Sequence, residues 1–245
     1  MWQSFVNGFS QIIQFFYTLT NDFGIGNYGL AIILITVLLK IILYPLSAKQ
    51  MESVRAMQEI QPKIKELQEK YKKQPEKAQQ AIMELYRKHK VNPLAGCLPL
   101  LVQMPILIAF YQALFHLEYL EPSHAGFIWI TNLSEPDHML ILPILAAAST
   151  FWQQKVSMPS TTDPTQRYML YFMPLLIGYF AYKFPAGLAL YWVVFNLIGS
   201  VQQIYINKQS KKKAKATVEA DQIEAKSEPK PAAKVKKGDK RKNAR

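Results

Sequence analysis

The strongest constraint on this chain is where its positive charge does not go. Residues 1–39 contain no Lys or Arg, and neither do residues 97–154. Of the 29 basic residues, 11 fall in 47–96 and 14 in 207–245; the other four are Lys40, Lys155, Arg167 and Lys183. Half of all residues are hydrophobic, yet the formal net charge is +12. A soluble basic domain spreads its cations over its surface. A chain that keeps them outside long apolar stretches reads as an integral membrane protein.

Five stretches are long enough to cross a bilayer core of roughly 30 Å, which takes about 17–25 helical residues. They lie near 29–46, 98–117, 139–156, 168–184 and 187–206. The last two are separated by "FPAG", a tight turn that predicts an antiparallel pair. Pro105, Pro143 and Pro174 fall inside spans, where neighbouring helices tolerate kinks. The loops set the orientation. Segments 47–96 and 207–245 are basic and 157–167 carries Arg167, whereas 118–138 offers Glu118, Glu121, Glu135 and Asp137 with no Lys or Arg. The positive-inside rule puts the first three in the cytoplasm, and the N-terminus and 118–138 outside.

The expected fold is therefore an all-α integral membrane protein with five transmembrane helices. Residues 1–28 hold an N-terminal amphipathic helix and an extracytoplasmic segment, and 29–46 the first transmembrane helix. A cytoplasmic helical hairpin occupies 47–96, transmembrane helices two to five occupy 97–206, and a basic disordered tail occupies 207–245.

Within 2–19, Trp2, Phe5, Val6, Phe9, Ile12, Ile13, Phe16 and Leu19 recur at helical spacing. Such a face suits either the bilayer interface or packing against the other helices. In the hairpin, Met57, Ile60, Ile64, Leu67 and Tyr71 form one seam, and Ala78, Ile82, Leu85 and His89 form another, split by "KKQPEK". Pro62 is expected to kink or restart the first of these helices. The hairpin is either a solvated arm or a docking surface for lipid heads, RNA or a nascent chain. The Lys/Ala/Pro-rich tail suits ribosomal RNA or anionic lipid, or serves as a solvated topology anchor.

Lys40 lies inside "AIILITVLLKIILYPL", about six residues, or ~9 Å, from the end of the first span. A charge at the centre of a bilayer costs about 2.5–3.5 kcal/mol on insertion scales. It snorkels to the inner interface, or it faces a polar interior. The other spans supply such an interior. Gln103 lies near the inner end of the second, and Ser149, Thr150, Gln153 and Gln154 end the third. Trp192, Asn196, Ser200 and Gln203 share one face of the fifth. Facing one another, these groups would line a wet cavity open to the cytoplasm and closed outside. Alternatively they are ordinary interhelical hydrogen bonds, worth about 0.6 kcal/mol each. An unpaired lysine fits that second account poorly, because no span contains Asp or Glu. A half-open positive groove could receive the acidic outer segment of a substrate helix with no chemical step.

Nothing points to an enzyme. His89, His116, His124 and His138 lie in the hairpin or at the outer face, and GxSxG, HExxH and Walker loops are absent. His116, Glu118, Glu121 and His124 are ordinary loop residues rather than a metal cluster. The single Cys97 allows no internal disulfide and no cysteine metal site, and no cofactor is implied.

The segments "KIILYPLSAKQ", "MQEIQPKIKELQEKY", "ELYRKHKVNPLAGCLPLLVQMPILIAFYQAL", "SMPSTTDPTQRYMLYFMPLL" and "FPAGLALYWVVFNLIGSVQQ" resemble the YidC/Oxa/Alb family of membrane-protein insertases. The likeness runs in order over about 1–207, in the short form without a large extracytoplasmic domain. It implies a five-helix core, a cytoplasmic hairpin and a hydrophilic groove that inserts and helps fold membrane proteins. The implied partners are nascent membrane proteins, the ribosome, the Sec translocon, the signal recognition particle with its receptor, and membrane lipids. The implied groove residues are Lys40, Gln103, Met104, Leu107, Gln154 and Trp192, beside Gln153 and Asn196 of the polar stripe. In one respect the chain departs from the family, whose groove charge is usually arginine: Lys40 keeps the charge but loses the planar fork. The runner-up function is a non-inserting assembly factor for membrane complexes.

Overall fold

The computed structural model describes residues 1–92, 98–157 and 164–227; Cys97 lies outside them. The described residues form eight α-helices and no strand beyond one isolated bridge between Phe127 and Ile130. The helices are α1 (Trp2–Asp22), α2 (Tyr28–Ile42), α3 (Tyr44–Lys70), α4 (Pro75–Lys88), α5 (Leu98–Phe115), α6 (Ile141–Ser157), α7 (Pro164–Lys183) and α8 (Ala186–Ser227). Two compact units result, Met1–Ile204 and Tyr205–Arg245.

The first apolar stretch does not run straight to Leu46. It breaks at Leu43, and α2 and α3 meet at 60°. Pro45 is the cause. It has no N–H to donate and clashes with the turn before it, so it opens a helix rather than continuing one. Helix α3 then runs unbroken through Pro62 to Lys70. It pairs with α4 as the seam pattern predicts, burying Ile60 and Ile64. At its far end the hairpin brings Lys63 Nζ to 3.4 Å from His89 Nε2.

Among the described residues, Ala186–Gln209 alone is long and apolar enough to cross a membrane, and the bent α2–α3 pair qualifies if counted as one span. Helix α6 has only 17 residues, and α7 dilutes its apolar run with four tyrosines and terminal cations. The five-span count thus goes beyond what helix length shows.

Loop 116–140 forms a polar cap over one end of the bundle. Helix α2 begins at Asn27, whose Oδ1 accepts from Gly29 N (2.8 Å) and Leu30 N (3.2 Å) while its Nδ2 donates to Gly126 O (2.8 Å). Gly29 is small because a Cβ there would run into the Phe127 ring. The Tyr17 and Tyr28 rings stack at 4.0 Å, and Tyr28 Oη accepts from Leu120 N and donates to Gln14 Oε1. Helix α8 starts with its free N–H groups on loop carbonyls, Ala186 N to Glu135 O (2.7 Å) and Gly187 N to Leu133 O (2.8 Å). Asp137, which is buried, accepts from Met139 N (3.0 Å) and from Leu142 N (2.7 Å) in the first turn of α6.

Below the cap lies the apolar core. Val6, Phe9, Ile13 and Tyr17 of α1 pack there with Ile32 and Ile35 of α2, Phe110 and Leu114 of α5, and Tyr191 of α8. Helix α1 therefore buries one apolar face against the bundle, while Phe5, Ile12, Phe15 and Leu19 present a second, exposed one. Both readings of its amphipathic pattern have a face to act on.

In the second unit the helix continues to Ser227, where irregular chain was expected. The Ala, Lys, Glu and Gln that dominate 209–227 are strong helix formers, and this explains the difference. Residues 228–245 lie outside the described set.

The cap makes a stability prediction. Asp137→Ala removes the acceptor of two backbone N–H groups and should cost about 1–2 kcal/mol, whereas Asp137→Asn keeps only one of the two acceptor oxygens and should recover about half of that. Thermal unfolding in detergent, followed by circular dichroism, checks both variants.

Candidate substrate groove

Away from the cap, the inward positions of the same helices turn polar. Apolar residues 28–35 of α2 give way to Thr36 and Lys40, and the buried apolar residues 109–114 of α5 are preceded by Gln103. Leu142 and Ala146 of α6 are followed by Ser149 and Thr150, and 186–193 of α8 by Asn196, Ser200 and Gln203. All of these polar residues are buried. Each helix thus carries its packing residues at the cap end and its hydrogen-bonding residues at the other.

The α6–α8 contact is a ladder of polar pairs. Trp192 Nε1 donates to Thr150 Oγ1 at 2.9 Å. Asn196 Nδ2 reaches Thr150 Oγ1 (2.9 Å) and Ser149 Oγ (3.3 Å). Turned by half a rotation, the Asn196 amide satisfies both of its ends, with Oδ1 accepting from Trp192 Nε1 at 3.1 Å. Ser200 Oγ donates to Gln153 Oε1 at 2.6 Å or to Asn196 O at 2.8 Å. On the α5 side, Gln103 Nε2 donates to the Tyr191 hydroxyl at 2.6 Å.

Lys40 points inward and does not snorkel; it is only 7% exposed. Its ammonium sits 3.3 Å from the centre of the Phe195 ring. On another side is Gly199, where a Cβ would lie 2.8 Å from Lys40 Nζ and 3.2 Å from Gln153 Nε2. Among the described residues no carboxylate comes within ion-pair distance of it. The sequence pattern anticipated an amine open to water. Here the amine is enclosed by an aromatic face, a glycine and an amide, and the long lysine side chain reaches α8 where Gly199 has no side chain of its own.

The structure thus gathers Lys40, Gln153 and Asn196, and ties Trp192 to the same cluster through Thr150. Gln103 joins the bundle interior one step away, through Tyr191. Gln154 is half-buried, and its Oε1 is buried without a protein partner, as is that of Gln202. Met104 and Leu107 stand apart. Met104 is 42% exposed on the outer face of α5, and Leu107 packs against the apolar core. Sequence reasoning overlooked Phe195 and Gly199. An aromatic in an apolar helix carries no signal, but a glycine in one marks close helix approach.

The bundle's exterior is apolar. Leu101, Met104 and Ile108 of α5, Ile144 and Trp152 of α6, Tyr171, Phe172, Leu175 and Tyr179 of α7, and Leu197, Val201 and Ile204 of α8 are all exposed. Soluble monomers rarely leave so many large apolar side chains exposed.

Comparison with known proteins agrees with this arrangement. Residues 18–214 match the family model described as 60Kd inner membrane protein. The chain is 47% identical over 194 residues to the membrane protein insertase YidC of Helicobacter pylori, covering 78% of this chain and 35% of that protein. It is 45% identical over 197 residues to YidC of Geotalea daltonii, covering 80% and 36%. The chain spans about a third of the length of the curated relatives it matches. The crystal structure of an active YidC insertase with its first transmembrane domain resolved superposes with a TM-score of 0.65 at 28% identity, over 80% of this chain and 45% of that one. A family match over most of its length, carried by a bundle with an apolar exterior and a polar half inside, places this chain in the 60Kd inner membrane protein family of YidC/Oxa/Alb insertases.

Proposed function

We propose that this chain inserts newly made membrane proteins and helps them fold, taking the polar outer segment of a substrate helix into the polar half of its bundle. One observation carries the reading: Lys40 is a buried cation with no acidic partner among the described residues, inside helices whose outer faces are apolar. A structural role alone explains such a charge poorly, since an unpaired ion is the costliest group to keep there. An arriving carboxylate supplies the missing partner. The orphan oxygens of Gln154 and Gln202 offer acceptors for water or for the backbone N–H groups of an incoming segment. The substrate's apolar stretch then leaves sideways along the exposed faces of α5, α7 and α8. Attraction and wetting drive the transfer, without a covalent step or bound nucleotide.

In this reading the helices cross the bacterial plasma membrane five times, with the N-terminus outside and the C-terminus in the cytoplasm. Charge placement supports that orientation, because the capped end carries the acidic loop and the other end joins the basic hairpin. The α3–α4 hairpin and the basic tail meet the ribosome and anionic lipid. The Sec translocon and the signal recognition particle with its receptor act beside it on longer substrates, as the resemblance implies.

Two tests follow. In proteoliposomes, Lys40→Arg should insert a single-span substrate with an acidic outer segment at near the parent rate, whereas Lys40→Ala should lose about tenfold, the equivalent of ~1.4 kcal/mol. Equal insertion by the Ala variant would leave Lys40 without a role, and failure of the parent to insert anything would favour the assembly-factor reading. Deleting 208–245 should weaken ribosome co-sedimentation, with the largest difference at low salt, since this contact is one of exposed charges. Unchanged binding would reduce the tail to a topology anchor.

A further inference from the structure

The ammonium of Lys40 is not simply placed in a polar region; it has a seat. The Phe195 ring covers it at 3.3 Å from the centroid. The ring is itself backed by Tyr191, whose centroid is 5.6 Å away, and Tyr191 is held by Phe110 at 4.7 Å and by the Gln103 hydrogen bond at 2.6 Å. One turn further along α8, Gly199 leaves the space that a Cβ would take, 2.8 Å from Nζ. A flat π face and, one turn on, a missing side chain make room for an ammonium against α8. Cation–π attraction grows when both partners are shielded from water, and this is the situation here.

We propose that Phe195 and Gly199 are positioning residues for insertion: they hold the Lys40 amine in reserve, and the strength of that hold sets how acidic a substrate segment must be to take it. The inference rests on the insertase reading above and adds a threshold to it. With the ring in place, a carboxylate gains only the difference between its own attraction for the amine and the ring's. A weakly acidic segment gains little from that exchange, and a strongly acidic one draws the amine off the ring. Weakening the seat therefore makes insertion easier for poor substrates, the opposite of what a purely structural residue does when altered.

The test uses the full chain in proteoliposomes and has two readouts. The first is acetylation of Lys40 by an N-hydroxysuccinimide ester without substrate, read by mass spectrometry. Phe195→Leu should raise it about tenfold, the Boltzmann equivalent of a ~1.4 kcal/mol contact, and Phe195→Trp should leave it near the parent level. Gly199→Ala should raise it too with the ring intact, because the new methyl displaces the flexible end of the lysine and, by a few tenths of an ångström, the Gln153 amide. The second is insertion of paired substrates with zero, one or three acidic residues in the outer segment. Phe195→Leu and Gly199→Ala should narrow the gap between them by raising the poorest, with unfolding temperatures near the parent's.

Unchanged acetylation in both variants overturns the seat. Raised acetylation with an unchanged substrate gap overturns its control of selectivity. A general loss of insertion in both variants at the parent's unfolding temperature does the same. Failure of the insertase reading shows separately, as indifference of every substrate to Lys40→Ala.

Discussion

An ion without a counter-ion organises this molecule. Lys40 sits in the bundle with no acidic neighbour among the described residues. A charge in that position persists only where polar groups, an aromatic face or water replace the hydration it gave up. Here the Phe195 ring covers the amine, and the Gln153 amide lies beside the same glycine, Gly199. Polar contacts of this kind contribute little to holding helices together, because competing partners exist in any membrane state. Cohesion falls to the other half, where Phe9, Ile32, Phe110, Leu114 and Tyr191 interlock. One end of the bundle is built for packing and the other for accommodation, and neither is complete alone.

Much of this was legible in the residue order. Charge segregation revealed the apolar helices and the hairpin. The spacing of Ser149, Thr150, Gln153, Asn196 and Ser200 anticipated the ladder between α6 and α8, since positions three and four apart share a helix face. Three things were hidden. The 60° turn at Leu43 was masked by an apolar run that continues through Pro45. The closeness of Phe195 and Gly199 to Lys40 depends on how α8 rotates against α2, which no single-helix pattern encodes. The exposure of Met104 and the packing of Leu107 against the apolar core depend likewise on how α5 is turned in the bundle.

The substitution of lysine for the family's usual arginine gains a local rationale. A guanidinium is broad, planar and satisfied by several acceptors in a plane. An ammonium is compact and needs only a small enclosure. The seat at Phe195 and Gly199 offers a flat ring and the room left by a single absent side chain, which suits a point charge.

The cap has a mechanical consequence. The carbonyls of 126, 133 and 135, accepting from the Asn27 side chain and from the first N–H groups of α8, together with the Asp137 carboxylate, stitch together the starts of α2, α6 and α8. A bundle fastened at one end moves like tongs: the pinned ends turn as a pivot while the free ends travel. Fifteen residues of helix make a lever of roughly 20 Å. A tilt of a few degrees at the pivot therefore parts the far tips by an ångström or more, enough to lift an amine from an aromatic ring while the pivot stays shut.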